Sequence, residues 1–308
     1  MSYEGEMLKK MAMPSKQEVG KELLKTLFRH NGVVKDFSSG EEIVNEIANI
    51  FSLSEEQRTV PLERIYKKEN RIVKTPLWHR LLYRAADTLS NNNLIIKPSV
   101  TQKLTTKKEW MLTENGFDKA LELLNIPIEQ KDRLPIKSYE VEKEVKKLTE
   151  RPAPANYNPI CEKKKVTVTR KTNLRIRGFR QAVIENYDYR CCVCGLKIIS
   201  PNFQFWEVEA AHIVSHTQNG KDDIWNGIAL CRLHHWAFDV GWFSLTDDYK
   251  IMISSLSNKI PVDFGRIGNF SFFENSLIEN KNILLPENNS LFPHKKSIEW
   301  HRNNIFYK

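Results

Sequence analysis

Between residues 191 and 239 the chain gathers side chains that bind metals and move protons. Cys191 and Cys194 form a C-x2-C pair, and Cys231 with His234 forms a C-x2-H pair. Each such turn aims two side chains at one point, and thiolates with an imidazole in tetrahedral array are what structural zinc takes. The competing reading is that these thiols simply pack in a core. Four of the five cysteines fall in this interval, together with His212, His216, His234 and His235. Secreted disulfide frameworks are not distributed this way; metal sites are. Cys192 points elsewhere in such a turn and stays outside the set.

The elements that must position these residues are short. Val208 to Val214 reads as a strand, followed by a turn with Gly220 and the acidic pair Asp222-Asp223, then Asn226-Gly227 and the apolar run Ile228 to Leu230. Leu233 to Asp239 should begin a helix, on which His235 and Asp239 stand four residues apart and share one face. Strand, turn, strand and metal-bearing helix make a compact ββα unit. Trp236, Trp242 and Phe243 are expected in its core rather than stacking on bases, and His216 is expected in solvent, with contact to phosphate the alternative.

Ala211-His212-Ile213, Asn226-Gly227 and Leu230-Cys231-x-x-His234-His235 together resemble the HNH (ββα-metal) endonuclease family. Phe238-Asp239-x-Gly241, the segment Ile283-Leu284-Leu285-Pro286 and Glu299-Trp300-His301 resemble a bacterial restriction-type branch of it, so that the likeness spans residues 173–308. The resemblance implies that His212 is the general base, because an imidazole titrating near neutrality can take a proton from water. It implies that Asn226 braces the loop holding His212. His235 and Asp239 would hold one divalent ion, Mg2+ or another such as Mn2+ or Ni2+, against the scissile phosphate. The implied product ends are a 5′-phosphate and a 3′-hydroxyl. The C-x2-H spacing gives His234 to structural Zn2+ with Cys191, Cys194 and Cys231, which leaves His235 for the catalytic ion. Many family members carry aspartate or histidine before the base; Ala211 stands there and coordinates nothing. Glu209 points to the same strand face and is the candidate to supply the missing oxygen, against the reading in which it contacts a backbone amide or Arg232.

The chain has 308 residues, a formal charge of +9 and a pI near 9.2. From 151 to 200 eleven basic residues face three acidic ones, a cationic strip suited to a phosphate backbone, with Arg177 and Arg180 expected on DNA. A solvated charged linker is the plainer alternative. No apolar run approaches the roughly 20 residues of a membrane span, and no signal-peptide core opens the chain, so a cytoplasmic protein is expected.

Upstream, Ser15 with Glu18 and Ser39 with Glu42 are capping-box signatures ahead of helical apolar spacing, and Pro76 opens a third helix carrying Leu77, Leu81, Leu82 and Ala85. Leu94 to Ile96 and Glu109 to Leu112 read as strands joined by a loop with Lys103, Lys107 and Lys108. Three helices and a two-stranded basic loop describe a winged helix. The helix from Pro76 through Trp78 and Leu82 and the stretch Trp110 to Gly116 resemble the N-terminal domain of Mrr-type restriction proteins, with Asn91 to Asn93 where a glycine is usual. That resemblance implies that Arg80 and Arg84, one turn apart, face the major groove.

The expected architecture is therefore α+β: a winged-helix DNA-recognition domain (1–125), a basic, proline-containing connector (126–172) with a charged helix between Ser138 and Glu150, and a zinc-stabilised ββα-metal nuclease domain (173–308). The function this implies is a restriction-type DNA endonuclease acting on double-stranded DNA, with methylated bases one candidate target. The alternatives are a sequence-specific type II enzyme for unmodified DNA and a non-catalytic, zinc-containing DNA-binding regulator. One active site per chain suggests a homodimer or sequential nicking.

Overall fold

A computed structural model describes residues 3–66, 71–161, 170–201, 205–256 and 276–307. Lys163, Lys164 and Lys165 of the cationic strip lie outside the described residues. The chain divides into two compact units, Met1–Glu142 and Lys143–Lys308, mixing helices with small antiparallel sheets.

The first unit contains α1 (Tyr3–Lys10), α2 (Lys16–Arg29), β1 (Val33–Lys35), α3 (Glu41–Ile50), α4 (Glu55–Thr59), the hairpin β2 (Pro61–Tyr66) and β3 (Arg71–Pro76), and α5 (Leu77–Asn91). β4 (Ile95–Ile96), α6 (Pro98–Thr105), β5 (Glu109–Leu112) and α7 (Glu114–Leu123) complete it. The Ser15 capping box forms as expected, with Ser15 Oγ accepting from Glu18 N–H and the Glu18 carboxylate accepting from Ser15 N–H. The one expected at Ser39 does not: Gly40 takes the cap position of α3, and the Ser39 hydroxyl donates instead to the Asp36 carbonyl. Three further differences are found, of which the first depends on pairing between strands far apart in the chain. β1 joins β5 and β4 in a three-stranded sheet of order β1-β5-β4. The β2–β3 hairpin stands before α5. The lysine-bearing connection between β4 and β5 contains α6, which Pro98 opens at its first turn.

In the second unit, α8 (Tyr139–Thr149) runs in from the boundary, followed by α9 (Arg170–Asn186), β6 (Val208–His212), β7 (Gly227–Cys231), α10 (Arg232–Asp239), β8 (Phe243–Leu245), β9 (Ile251–Ile253) and α11 (Lys295–Asn304). β6 and β7 pair antiparallel, Val208 opposite Cys231 and His212 opposite Gly227. α9 lies across this pair, with Phe179 and Val183 buried in the same core as Ala211, Ile228, Leu230 and Phe238. Glycine is required at 227 for that approach, because a Cβ there would come within 2.9 Å of the Phe179 ring and closer still to Val183. Trp236 corrects the expectation of burial: it is 51% exposed. On α10 the inward positions are His234, Ala237 and Phe238, and residue 236 falls with Arg232, Asp239 and Val240 on the opposite face. Phe243 is fully buried and Trp242 partly so.

Candidate active site and metal centre

Three groups of side chains that bind metals or move protons gather on and around the β6–β7–α10 unit. In the first, Cys191, Cys194, Cys231 and His234 bring one ligand atom each within 4.8 Å of one another. His234 Nδ1 lies 3.0 Å from Cys231 Sγ and 3.6 Å from Cys191 Sγ, and Cys194 Sγ lies 4.0 Å from Cys231 Sγ. No disulfide links them, and their sulfur spacing is close to the roughly 3.8 Å edge of a tetrahedron with about 2.3 Å metal–sulfur bonds. The donor set and its spacing therefore fit a tetrahedral ion. Hydrogen bonds from Cys194 and Cys231 push the Cys191 thiol well below its ordinary value. Burial pushes His234 down, but its contacts with Cys191 and Cys194 outweigh that and raise it to about 9. Three of the four side chains are buried and only Cys194 is exposed. Cys192, fully enclosed, stays out of the cluster, and its backbone pairs with Ala229 and Leu284.

In the second, His212 ends β6 and is 3.1 Å through Nε2 from Asp222 Oδ1. His216 Nε2 stands 3.1 Å from the same oxygen. The His212 ring stacks on Phe179, with ring centroids 4.0 Å apart and planes tilted by 20°. Burial raises the Asp222 carboxyl, yet the hydrogen bond and charge of His212, with His216 and Arg175 beyond, bring it below its ordinary value. Asn226, completely buried, ties the intervening loop together. Its Oδ1 accepts from Val214 N–H at 2.9 Å, and its Nδ2 donates to the carbonyls of Val214 and Lys221, both at 3.0 Å. Gly220 lets this loop close, since a Cβ there would strike the Val214 carbonyl.

His235, one residue past the thiolate cluster, bridges two carboxylates. Its Nδ1 lies 3.0 Å from Glu209 Oε2 and its Nε2 3.5 Å from Asp239 Oδ2. Glu209 also receives Arg232 Nε at 3.3 Å. Burial lowers His235, but the Glu209 hydrogen bond and the Asp239 charge more than compensate and raise it above its usual value. Asp239 is raised, by burial first, against the pull of His235 and His212. The spacing of His235 Nε2 and Asp239 Oδ2 fits two ligands of one ion with bonds of about 2.1 Å, and a cation would relieve the desolvated carboxylate. Glu209 sits on the other ring nitrogen.

Residues 191–246 match a family model described as HNH endonuclease. The likeness to HNH endonucleases rests on this segment. No curated protein matches the chain. One solved structure similar to it is described as a modification dependent TagI restriction endonuclease, at 21% identity and a TM-score of 0.29, covering 41% of this chain and 37% of that one. The HNH segment thus includes His212, Asn226, His235 and Asp239 and all four members of the Cys/His cluster.

Asp222 and Phe179 were not singled out by sequence reasoning. Asp222 approaches His212 across a ten-residue loop, and Phe179 comes from a helix well upstream, so neither contact leaves a local periodic signal. Of the residues expected on DNA, Arg177 is buried and Arg180 exposed in the HNH-bearing unit. In the N-terminal unit Lys103, Lys107 and Lys108 are exposed. Arg80 Nε lies 2.7 Å and Arg84 Nη1 2.6 Å from the two oxygens of Glu4, on α1. Among the described residues no helix is long and apolar enough to cross a membrane.

Proposed function

We propose that this chain is a restriction-type DNA endonuclease of the cytoplasm that hydrolyses phosphodiester bonds in double-stranded DNA. The observation that carries the reading is that one ββα unit bears both the enclosed imidazole of His212 and the His235–Asp239 pair, with His212 near enough for its charge to act on Asp239. His212 takes the proton of the attacking water, and Asn226 keeps the strand end and the following loop in register around it. His235 and Asp239 would hold Mg2+ or a similar divalent ion, which would supply positive charge against the scissile phosphate and leaving oxygen. Zn2+ in the Cys191, Cys194, Cys231 and His234 cluster ties the residues before β6 to the start of α10. Glu209 reaches a shared ion only by releasing His235 Nδ1; where it stands, it orients the ring.

The N-terminal unit is read as a winged helix, with residues 1–125 selecting the site, 126–172 connecting and 173–308 cutting. Helix α5, followed by strands β4 and β5 and paired back to β1, supports this reading, as do the exposed lysines of the β4–β5 connection. Arg80 and Arg84 on α5, with Arg180 near the HNH segment, are the remaining candidates for DNA contact, and two copies would be needed to cut both strands in one encounter.

Paired methylated and unmethylated genomic DNA, digested with Mg2+, Mn2+ or Ni2+ and sequenced at the ends, tests the proposal. Cutting confined to methylated DNA at a fixed motif identifies a modification-dependent enzyme, and cutting of both samples a type II enzyme. No cutting under any metal would overturn the reading in favour of a non-catalytic DNA-binding protein, and cutting undiminished in His212→Ala and His235→Ala would overturn the assignment of these residues to the reaction.

A further inference from the structure

A histidine serves as a base through one nitrogen only, so something must decide which nitrogen carries the resting proton. At His212 the Nε2 position faces Asp222 Oδ1 at 3.1 Å, and a carboxylate can only accept there. The contact is sheltered, with 16% of the His212 side chain and 10% of the Asp222 side chain exposed. Phe179 backs the ring and resists its turning over. Asn226 extends the same restraint to the carboxylate: it holds the Lys221 carbonyl, immediately before Asp222, to the Val214 backbone just past His212. His216 approaches the same oxygen from the solvent side, where it is 54% exposed.

We propose that Asp222 is the positioning residue for His212, fixing the Nε2–H tautomer and leaving Nδ1 as the nitrogen that receives the proton of water. This rests on the reading of His212 as the base. When water attacks phosphorus, the new P–O bond forms as the bond to the 3′-oxygen breaks, the proton of the attacking water passes to Nδ1, and the departing 3′-oxygen takes a proton from solvent water. The imidazolium that results keeps its Nε2–H on Asp222, whose negative charge stabilises it without itself taking a proton. Asn226 then has two tasks, bracing the strand end and anchoring the loop that delivers Asp222. His216 shares the carboxylate but carries no proton in the reaction.

The test uses the full chain, with Asp222→Asn and His212→Ala compared with wild type for zinc content, DNA affinity and single-turnover cleavage. Selective 15N-histidine labelling reads the tautomer. Asp222→Asn should keep its zinc and bind DNA within about twofold of wild type, yet cut roughly 100-fold or more slowly, with the wild-type Nε2–H signature of His212 lost. Asp222→Glu should recover part of the rate. Cleavage by Asp222→Asn within about threefold of wild type, with His212→Ala inactive, would overturn this inference and leave the base in place. Undiminished cleavage by His212→Ala would instead overturn the reading beneath it. The three ligand atoms of His212, His216 and Asp222 also lie within 4.8 Å of one another. Should Asp222→Asn and His216→Ala each bind one Mn2+ or Zn2+ fewer than wild type in equilibrium dialysis, and cut equally poorly, the group is a metal site and the positioning role is overturned.

Discussion

His234 and His235 are neighbours on α10, and the protein treats them in opposite ways. His234 turns inward, 1% exposed, into a cluster of thiols with every donor close at hand. His235 turns outward between two carboxylates, one of which, Asp239, is more than half exposed. On the proposed reading the difference is the one that separates a metal site that builds structure from one that does chemistry: the first would be closed by protein ligands, and the second would leave positions for water and substrate. A single turn of helix would then join the scaffold to the proposed reaction centre, so that a shift in one is felt by the other.

Stripping the inner site should have the largest effect. Removal of metal by a strong chelator, or Cys191→Ser with Cys194→Ser, should abolish the cooperative melting transition of the HNH-bearing unit, since structural zinc contributes on the order of 10 kcal/mol to folds of this kind. Calorimetry checks this, and an unchanged transition would mean that the thiols are merely packed. The outer site should respond without unfolding. Glu209→Gln should weaken affinity for the catalytic ion by about 10- to 100-fold, because it loosens His235 without removing a ligand. Titration with Mn2+ at constant zinc content measures it, and a complete loss of binding would show that Glu209 is itself a ligand. At the edge of the same site, Arg232→Ala should change that affinity by less than about twofold, because its pairing with Glu209 is largely in solvent.

Between these effects in size lies a dependence on pH that arises at the far end of α10. His301 of α11 donates Nε2–H to the Phe238 carbonyl at 2.9 Å, lies within 2.9 Å of Ser244 Oγ through Nδ1, and stacks flat on the Phe238 ring. Burial drives its pKa from 6.5 to about 4. The fold binds neutral imidazole, so this contribution is fully present above the unfolded value of 6.5 and is lost as pH falls toward 4. The loss should reach about 3 kcal/mol. Denaturant unfolding of the zinc-loaded protein at pH 7 and pH 4.5 should show the slope, and His301→Gln should flatten it.

Much of the geometry of the candidate site was legible in the sequence because its residues lie within short, regular pieces. The C-x2-C and C-x2-H turns, the spacing of His235 and Asp239 and the Asn226-Gly227 step each depend on neighbours in the chain. What was hidden depends on closure over distance. Asp222 reaches His212 only because Asn226 folds the loop back, and the burial expected for Trp236 failed because the short helix has room inward for His234, Ala237 and Phe238 alone. In the N-terminal unit α2, α3 and α5 announced themselves through apolar spacing, and α2 also through its capping box. The third strand of the sheet, three residues long, did not, since its pairing with β5 spans more than seventy residues.

The carboxylate of Glu4 has a consequence of its own. Arg80 and Arg84 are already satisfied by one anion, and Arg80 is largely enclosed. Any polyanion that engages them does so by exchange, displacing a tethered competitor whose local concentration is set by the chain. Affinity at that helix then measures the difference between two ion pairs, and its salt dependence is shallower than two free guanidinium groups would give, because fewer condensed counterions are released.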